Sequence, residues 1–290
     1  MPDAPTRTAL VFGASGQIGE ALLARLAGGG WQAFAVSRVP RPPAGGVTWL
    51  TGEFANVGGL PEAVDVVFST GPLDGFAQWY ARGQVATRRV VAFGSTSLDT
   101  KQASADAYER DIVARLQAAE RLVFDTASAN GAAATVLRPT LVYGAGRDQT
   151  LARIAAMGRR MGFFVLPRGA NGKRQPVHVD DLAHAALAVV DAPATDGKAY
   201  ALPGGETLAY RDMVARTLAA LDPPARLWEV PMPVFRTALW LARKAGMMRG
   251  LTDDAVARMR EDLTFDASPA LHDFGYAPHS FILDTRAVGS

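Results

Sequence analysis

Residues 8–19 are T-A-L-V-F-G-A-S-G-Q-I-G, a short apolar run that leads into three evenly spaced glycines, Gly13, Gly16 and Gly19, where a helical pattern begins. Between a strand and a helix, glycine permits a tight turn and lets the backbone approach a phosphate closely. The first turn of the helix offers unbonded N–H groups and the positive end of its dipole to an anion. The stretch therefore predicts a binding site for the diphosphate of a dinucleotide; the alternative is an empty structural turn.

The end of the second predicted strand distinguishes between the two nicotinamide dinucleotides. An acidic side chain about 20 residues after the glycines would hold the ribose 2′-hydroxyl of NAD. Here the strand ends in Ser37 and Arg38. Because a guanidinium can hold a 2′-phosphate through paired hydrogen bonds, NADP is favoured over NAD; the alternative is that Arg38 is a solvated loop residue beside Arg41. Glu53, in the segment T-G-E-F (51–54), is expected near the adenine.

Composition and charge exclude several classes of function. The chain has 290 residues, a net charge of +2 without a long basic block, and no cysteine, so it predicts no nucleic-acid partner, disulfide or thiolate site. The four histidines share no metal-ligand spacing, and we expect no bound metal. The first apolar run is interpreted as a core strand and not a signal peptide, and no apolar run is long enough to span a bilayer, so the expected location is the cytoplasm.

Alternating strand and helix patterns predict an α/β fold built from parallel βαβ units. The predicted strands are Ala9–Phe12, Gln32–Ser37, Val64–Ser69, Arg89–Gly94 and Thr135–Arg138. The predicted helices are 17–27, 105–130, 149–161, 180–191, 210–221, 233–246 and 252–262. After Gly144 the alternation weakens, and this indicates a smaller C-terminal lobe. The predicted division is a nucleotide-binding domain of 1–147 with 172–202, and a substrate lobe of 148–171 with 203–290.

Five further segments extend the pattern along nearly the whole chain: V-A-F-G-S-T-S (91–97), V-L-R-P-T-L-V-Y-G (136–144), V-H-V-D-D-L-A (177–183), Y-A-L-P-G-G-E-T-L (200–208) and D-L-T-F-D-A-S-P-A-L-H-D-F-G-Y-A-P-H-S-F (262–281). With the glycine spacing, they make the chain resemble the extended short-chain dehydrogenase/reductases, a family that includes NAD-dependent sugar-nucleotide epimerases and dehydratases. The resemblance implies a Rossmann-type doubly wound parallel sheet that binds NAD(P) at its carboxyl edge, and a smaller, mostly helical C-terminal lobe. The predicted cofactor-binding residues are Gly13, Ser15, Gly16, Gln17, Ile18, Gly19, Ser37, Arg38, Glu53, Ser69, Thr70, Gly71, Ser95, Pro139 and Thr140.

The family's usual chemistry uses a Tyr-x-x-x-Lys pair on the helix after the Ser/Thr strand, because the lysine lowers the pKa of the tyrosine that exchanges the proton. When A-A-E-R-L-V (118–123) is aligned with the family's segment after the lysine, Ile112 and Leu116 occupy the tyrosine and lysine positions. Tyr108 lies one turn earlier, about 6 Å along the axis at about 1.5 Å per residue. It is either a displaced acid or an ordinary helix residue.

Two other residues are catalytic candidates. Thr96 aligns with the family's Ser/Thr that hydrogen-bonds the reacting oxygen, and its hydroxyl could instead cap the next segment. Tyr143 either faces the pocket or packs between the lobes.

The sequence therefore predicts an atypical NAD(P)-binding family member that oxidises or reduces a small-molecule alcohol or carbonyl. One alternative is a non-catalytic dinucleotide-binding sensor or assembly subunit, and another is a sugar-nucleotide epimerase or dehydratase. We expect a monomer or homodimer. The segment 233–250, with apolar and basic sides, is interpreted as a lid on the small lobe, and contact with an anionic membrane is the alternative.

Overall fold

The structure is a computed structural model that describes residues 6–43, 45–100, 106–148, 150–244 and 253–283. Its strands are β1 Thr8–Phe12, β2 Gln32–Ser37, β3 Val47–Glu53, β4 Asn56–Val57, β5 Ala63–Ser69, β6 Ala86–Phe93, β7 Ala133–Pro139, β8 Val142–Tyr143, β9 Phe163–Pro167, β10 Lys173–Arg174, β11 Val177–His178, β12 Lys198–Leu202, β13 Leu208–Ala209 and β14 Arg226–Val230. Its α-helices are α1 Gln17–Gly28, α2 Leu73–Tyr80, α3 Ser97–Thr100, α4 Ala107–Ala129, α5 Leu151–Met161, α6 Val179–Ala188, α7 Tyr210–Ala219, α8 Met232–Lys244, α9 Asp253–Arg258 and α10 Ser268–Phe274.

The first compact unit is built on an eight-stranded sheet. Its strand order is β12-β7-β6-β5-β1-β2-β3-β4, and the pairs are parallel except for the short hairpin of β3 with β4. The strand order reverses at β1, which lies between β5 and β2. In such sheets the crevice beyond the carboxyl ends of the strands, at the point of reversal, is where ligands bind. The predicted Rossmann-type fold class is confirmed.

The core explains why these strands form. β1 is buried along almost its whole length, as expected for a central parallel strand covered on both faces. On one face, Leu10 and Phe12 join a cluster with buried residues of α2 and α4, including Phe76 and Val123. α1 packs against α6. The helix α2 was not predicted from the sequence, and the long helix α4 was.

The second compact unit contains α5, α7, α8 and α9 together with three two-stranded sheets, β8 with β11, β10 with β13, and β9 with β14. Its main core gathers Leu151 and Ile154 of α5, Leu166 of β9 and Leu218 of α7. The strands of this unit were not predicted; four of them have only two residues and carry no readable period, whereas β9 and β14 have five residues each.

The unit limits differ from the predicted division. The first unit comprises 1–140, 179–202 and 266–277, and the second comprises 141–178, 203–265 and 278–290. Residues 141–147 and 172–178 lie with the second unit because β8 pairs with β11. Residues 266–277 lie with the first because α10 packs against β12.

The segment 233–250 begins as a helix, α8, and its residues 245–250 lie outside the described residues. Within the described part of the chain, no helix is both long and apolar enough to cross a bilayer.

Candidate dinucleotide-binding site

The glycine turn after β1 is shaped by close backbone contacts. Gly13 has φ +68°, and a Cβ built on it would lie 2.6 Å from the backbone nitrogen of Gly71. A Cβ on Gly19 would lie 2.3 Å from the Gly13 carbonyl oxygen. Both distances are too short for any side chain, so these two positions require glycine. The turn brings the start of α1 directly against the end of β1.

The N-terminus of α1 is open to an anion. Gly16 is the N-cap residue, and no side chain caps this end of the helix among the described residues. The Gly16 N–H donates to the Gly13 carbonyl at 2.8 Å, and the first intrahelical bond runs from the Glu20 N–H to the Gly16 carbonyl at 2.9 Å. The N–H groups of Gln17, Ile18 and Gly19 precede that bond, and they are the groups that a helix start offers to a diphosphate.

A cavity of about 380 Å³ lies beside this turn at the carboxyl ends of β1, β2 and β3. Its volume is within the range of small-molecule sites. Its lining includes eight of the predicted cofactor residues: Gly13, Ser15, Gly16, Ser37, Arg38, Glu53, Thr70 and Gly71. The remaining lining residues are Phe12, Val36, Gly52, Phe54 and Pro72, which the sequence analysis did not single out.

The charged side chains of the cavity come from the ends of β2 and β3. Arg38 is exposed and has no side-chain partner among the described residues, whereas Arg41 lies 5.0 Å over the Trp49 ring and 3.7 Å from Glu20. The cavity therefore has an unpaired guanidinium at the end of β2, where an NAD-specific site would have a carboxylate.

Ser37 is buried, and its hydroxyl accepts a hydrogen bond from the Val39 N–H at 3.2 Å. A serine hydroxyl has one proton to donate, so Ser37 keeps its donor for a ligand. Glu53, also exposed, adds a carboxylate acceptor to the same cavity. The two side chains together give the cavity one hydroxyl donor and one carboxylate acceptor besides the Arg38 guanidinium.

One wall of the cavity is aromatic. The rings of Phe12 and Phe54 stack at 5.0 Å with 24° between their planes. Phe54 also fills the space over Gly71, where an added Cβ would lie 3.2 Å from the ring. Phe54, which directly follows Glu53 in T-G-E-F, was not predicted as a site residue, although its position beside Glu53 could have identified it. A flat apolar wall beside a carboxylate suits a planar, polar-edged ring such as adenine.

Two buried polar atoms in the same region lack hydrogen-bond partners among the described residues, namely the Gln17 Oε1 and the Ser69 Oγ. Buried polar atoms are nearly always bonded, so each of these two fits a site that a polar ligand completes. Thr70 differs, because its hydroxyl lies 3.1 Å from the Phe12 carbonyl and 3.0 Å from the Gly13 carbonyl. Thr70 therefore fixes the glycine turn. The uncapped helix, the glycine cradle and the unpartnered atoms fit a dinucleotide.

The other predicted residues follow β6 and β7. Thr96 is buried, and both its hydroxyl and its N–H donate to the Pro139 carbonyl, at 3.1 and 3.3 Å. The Ser95 hydroxyl lies 3.0 Å from that of Ser97. The Thr140 N–H donates to the Leu202 carbonyl at 3.3 Å. The structure thus joins the ends of β6, β7 and β12, and it uses the Thr96 hydroxyl proton in that junction.

The face of α4 that carries Ile112 and Leu116, in place of the family's proton-transfer pair, is mostly apolar. Ile112 and Leu116 are half-buried, and Leu116 packs on the core cluster of the first unit. Tyr108 is 68% exposed, and its N–H is capped by the Asp106 carboxylate at 2.8 Å. Glu109, its neighbour, is buried.

An ion pair that the sequence analysis missed lies on the same helix. Glu120 of α4 is buried and accepts from Arg138 of β7, with Nε to Oε1 at 2.8 Å and a second, shorter contact from Nη2. These hydrogen bonds raise the pKa of Arg138 above its usual value. Arg138 also lies 3.6 Å from Asp99 of α3. The pair ties α3, α4 and β7 together beside Ser95 and Thr96. Both charged residues stand in segments that carry the resemblance, but only the fold brings them together.

Tyr143 belongs to the second unit, where it is 1% exposed. Its ring meets those of His178 and Phe281 edge-on at 5.1 and 4.9 Å, and its hydroxyl accepts from the Ile282 N–H at 3.2 Å. Tyr143 therefore packs within the second unit, and a catalytic contact for it stays a prediction.

Comparisons with known proteins show what the chain is similar to. The family model described as the NAD dependent epimerase/dehydratase family matches residues 113–202. The 2-alkyl-3-oxoalkanoate reductase of Stenotrophomonas maltophilia (strain K279a) is 28% identical over 93% of this chain and 94% of its own length. The uncharacterised protein YbjS of Escherichia coli (strain K12) is 29% identical over 50% of this chain, and the match spans only 45% of YbjS.

Among solved structures, the Bordetella bronchiseptica enzyme WbmH in complex with NAD+ superposes with a TM-score of 0.65. The two chains are 16% identical, and the match covers 95% of this chain and 94% of that one. This likeness supports the fold alone.

Proposed function

We propose that this chain belongs to the extended short-chain dehydrogenase/reductase superfamily and is an NAD(P)-dependent oxidoreductase acting on a carbonyl or alcohol of a small molecule. The observation that carries the proposal is the cavity at the carboxyl ends of β1, β2 and β3, beside the open N-terminus of α1. A bound nicotinamide supplies or accepts the hydride. The chain's own residues bind and orient the dinucleotide.

The proposed cofactor is NADP(H), with NAD(H) as the alternative. The unpaired Arg38 guanidinium and the free donor of Ser37 support recognition of a 2′-phosphate, because charge-assisted hydrogen bonds to a guanidinium stabilise that group. Glu53 is proposed to accept from the adenine amino group. The N–H groups of Gln17 and Ile18 are proposed to hold the diphosphate.

The proposed substrate class follows the similarity to the 2-alkyl-3-oxoalkanoate reductase, which extends over nearly the whole of both chains. We propose a 3-oxo acid or a related alkyl ketone as the substrate. With Ile112 and Leu116 in place of a tyrosine and a lysine, this chain has no lysine there to lower the pKa of a proton donor. Turnover would then depend chiefly on holding the nicotinamide and the carbonyl together.

A second candidate function is a dinucleotide-binding sensor or assembly subunit without turnover. It is favoured by two observations: Thr96 donates its hydroxyl proton to the Pro139 carbonyl, and Tyr108 is exposed. Both observations leave the proposed site without an evident proton donor.

The cofactor proposal is tested by measuring NADPH and NADH affinities by calorimetry for the unmodified chain, Arg38→Ala and Arg41→Ala. We expect Arg38→Ala to weaken NADPH binding by about 2 kcal/mol, or about 30-fold, and to leave NADH binding unchanged. Arg41→Ala is the matched control, because it removes a cation from the same loop that is already engaged with Trp49. Equal losses in both variants, or an NADH affinity equal to that for NADPH in the unmodified chain, would refute the assignment to NADP.

The reaction is tested by following NADPH absorbance during incubation with a series of 2-alkyl-3-oxoalkanoates of increasing chain length, with UDP-glucose as the sugar-nucleotide comparison. Oxidation of NADPH that depends on the oxo acid supports the reductase. Tight NADPH binding without oxidation of NADPH by any oxo acid supports the sensor. Conversion of UDP-glucose in a parallel incubation with NAD+ or NADP+, without net reduction of the dinucleotide, supports the epimerase alternative, because that reaction begins with hydride transfer from the sugar.

A further inference from the structure

The second unit has an apolar surface that its own packing leaves open. α8 uses Phe235 and Leu239 to pack with Val256 of α9, and with Val165 and Val230 on one face of the β9–β14 sheet. This contact accounts for one side of α8. Three of its other large apolar side chains, Val234, Trp240 and Leu241, are between 53 and 56% exposed.

The same sheet face carries a further exposed aromatic residue. Phe163 pairs with Arg226, and Val165 pairs with Trp228, in the parallel register of β9 and β14. Because side chains alternate along a strand, Trp228 lies on the face that bears Val165 and Val230, which is the face covered by α8. Trp228 is half exposed and stacks on Phe163 at 4.3 Å. We call Trp228, Val234, Trp240 and Leu241 the α8 surface.

The charge of β14 and α8 is positive. Residues 226–244 contain four cationic side chains and one acidic side chain, in a chain whose total net charge is only +2, and Arg243 pairs with Asp253 of α9. The acid, Glu229, is paired with Arg211 at 3.0 Å. Arg226, Arg236 and Lys244 have no carboxylate partner in the part of the chain that the structure describes.

Lys244 is placed against the aromatic part of the surface, with its Nζ 4.1 Å from the centre of the Trp240 ring. Tryptophan beside lysine or arginine is the combination that suits the boundary between lipid headgroups and acyl chains, since the ring is amphipathic and the cation meets the phosphates. Anionic lipids attract such cations near the membrane surface.

We propose that the α8 surface docks on an anionic lipid bilayer, with Trp240, Leu241 and Val234 in the headgroup region and Arg236 and Lys244 against lipid phosphates. The sequence alone favours a lid over a membrane contact for this segment. The exposure of these three apolar side chains is the observation that changes the preference. The proposal is independent of the reaction, because it involves no residue of the dinucleotide cavity.

The test is co-sedimentation of the full chain with vesicles of phosphatidylcholine, with and without phosphatidylglycerol, at about 0.1 M and about 1 M salt, where the screening lengths are about 10 Å and about 3 Å. We expect binding to the phosphatidylglycerol vesicles at the lower salt only. The double variant Trp240→Ser with Leu241→Ser, and the double variant Arg236→Glu with Lys244→Glu, should each lower the bound fraction at least tenfold.

Leu271→Ser is the matched control, because Leu271 is a similarly exposed apolar residue on α10 of the first unit, and it should bind as the unmodified chain does. Circular dichroism and the thermal midpoint establish that each variant folds. If the apolar variant does not fold, the charge variant decides the test.

Three results would overturn the proposal. The first is no binding to anionic vesicles, and the second is binding that the substitutions leave unchanged. The third is a homodimer in analytical ultracentrifugation that Trp240→Ser with Leu241→Ser dissociates, since a second copy would then cover the surface.

Discussion

The two edges of the large sheet differ in how their polar groups are used. At the amino edge a cavity of about 450 Å³ is lined by three arginines and three aspartates, and they pair as Arg7 with Asp191, Arg88 with Asp65, and Arg89 with Asp196. At the carboxyl edge the smaller cavity of about 380 Å³ is lined by Arg38, which has no such partner, and lies beside the unpartnered Gln17 and Ser69 atoms.

The amino-edge charges are paired with one another and leave little for a ligand, although the buried Arg89 Nε has no partner among the described residues. At the carboxyl edge, the Arg38 guanidinium and the unpartnered Gln17 and Ser69 atoms can be completed by a ligand. We therefore propose the carboxyl edge as the binding edge, and the pairing of charges, not the cavity volume, distinguishes the two edges.

The largest expected effect is on stability at the amino edge. Arg89 is buried and donates to the Val189 carbonyl and to the Thr195 and Thr135 hydroxyls, so Arg89→Met should lower the free energy of unfolding by about 3 kcal/mol. Denaturant unfolding measures this change, and calorimetry should find NADPH affinity unchanged. Arg88→Met, on the same strand but exposed, is the control and should cost less than about 0.5 kcal/mol. Equal costs for the two variants would contradict a structural role for the buried Arg89.

The next effect is on binding at the carboxyl edge. Gly16 is exposed, lines the cavity and has an extended backbone that any residue can adopt, but an added Cβ would lie 3.0 Å from the Gly13 carbonyl oxygen, so the thermal midpoint of Gly16→Val is measured first to establish that the variant folds. Its side chain would occupy the place proposed for the diphosphate, and we expect NADPH binding to weaken about 100-fold, or about 2.8 kcal/mol. Gly28→Val is the control at the other end of α1, where an added Cβ meets nothing within 4 Å. Wild-type affinity in Gly16→Val would place the diphosphate elsewhere.

The contrast between the edges could be predicted from sequence only in part. The glycine turn and the polar end of β2 were recognised from local spacing, the family resemblance extended the set, and eight of the residues so predicted line one cavity. The Glu120–Arg138 pair, like the three ion pairs of the amino edge, joins residues far apart in sequence, and no local pattern identifies partners at such separations.

The candidate proton donors show the same limit. Helical periodicity predicted the long helix to within about two residues of α4, and it could not tell that Tyr108 is exposed. The burial of Tyr143 depends on Phe281, which follows it by more than a hundred residues, so its packing role required the folded second unit.

A smaller effect concerns pH and the amino edge. Hydrogen bonds from the Thr8 N–H and hydroxyl, with Arg88 nearby, hold the pKa of Asp65 below its ordinary value of 3.8. A lowered folded-state pKa stabilises the fold above pH 3.8, and this contribution is lost as the pH falls through the folded-state value. We expect the unfolding free energy of Asp65→Asn to fall by about 0.5 kcal/mol less on acidification than that of the unmodified chain. The difference is small because the carboxylate is partly exposed. Urea unfolding at neutral pH and at about pH 3 measures it. The same loss of stability on acidification in both proteins would contradict the assignment.

The smallest effect is expected for Tyr108→Phe. Because the ring is exposed, removing its hydroxyl should change NADPH affinity and any NADPH oxidation rate by less than twofold, or about 0.4 kcal/mol. Comparing kcat and KM of the two proteins on the most active oxo acid checks this. A tenfold fall in kcat with unchanged KM would make Tyr108 the proton donor and restore its predicted catalytic role.

The central claim is that the carboxyl-edge cavity, with its unpaired Arg38, is a site for NADP(H). Calorimetric titration of the unmodified chain with NADPH and with NADH tests it most directly. We expect one NADPH bound per chain, at least tenfold more tightly than NADH. Absence of heat with either dinucleotide, under conditions where the chain is shown to be folded, would contradict the account.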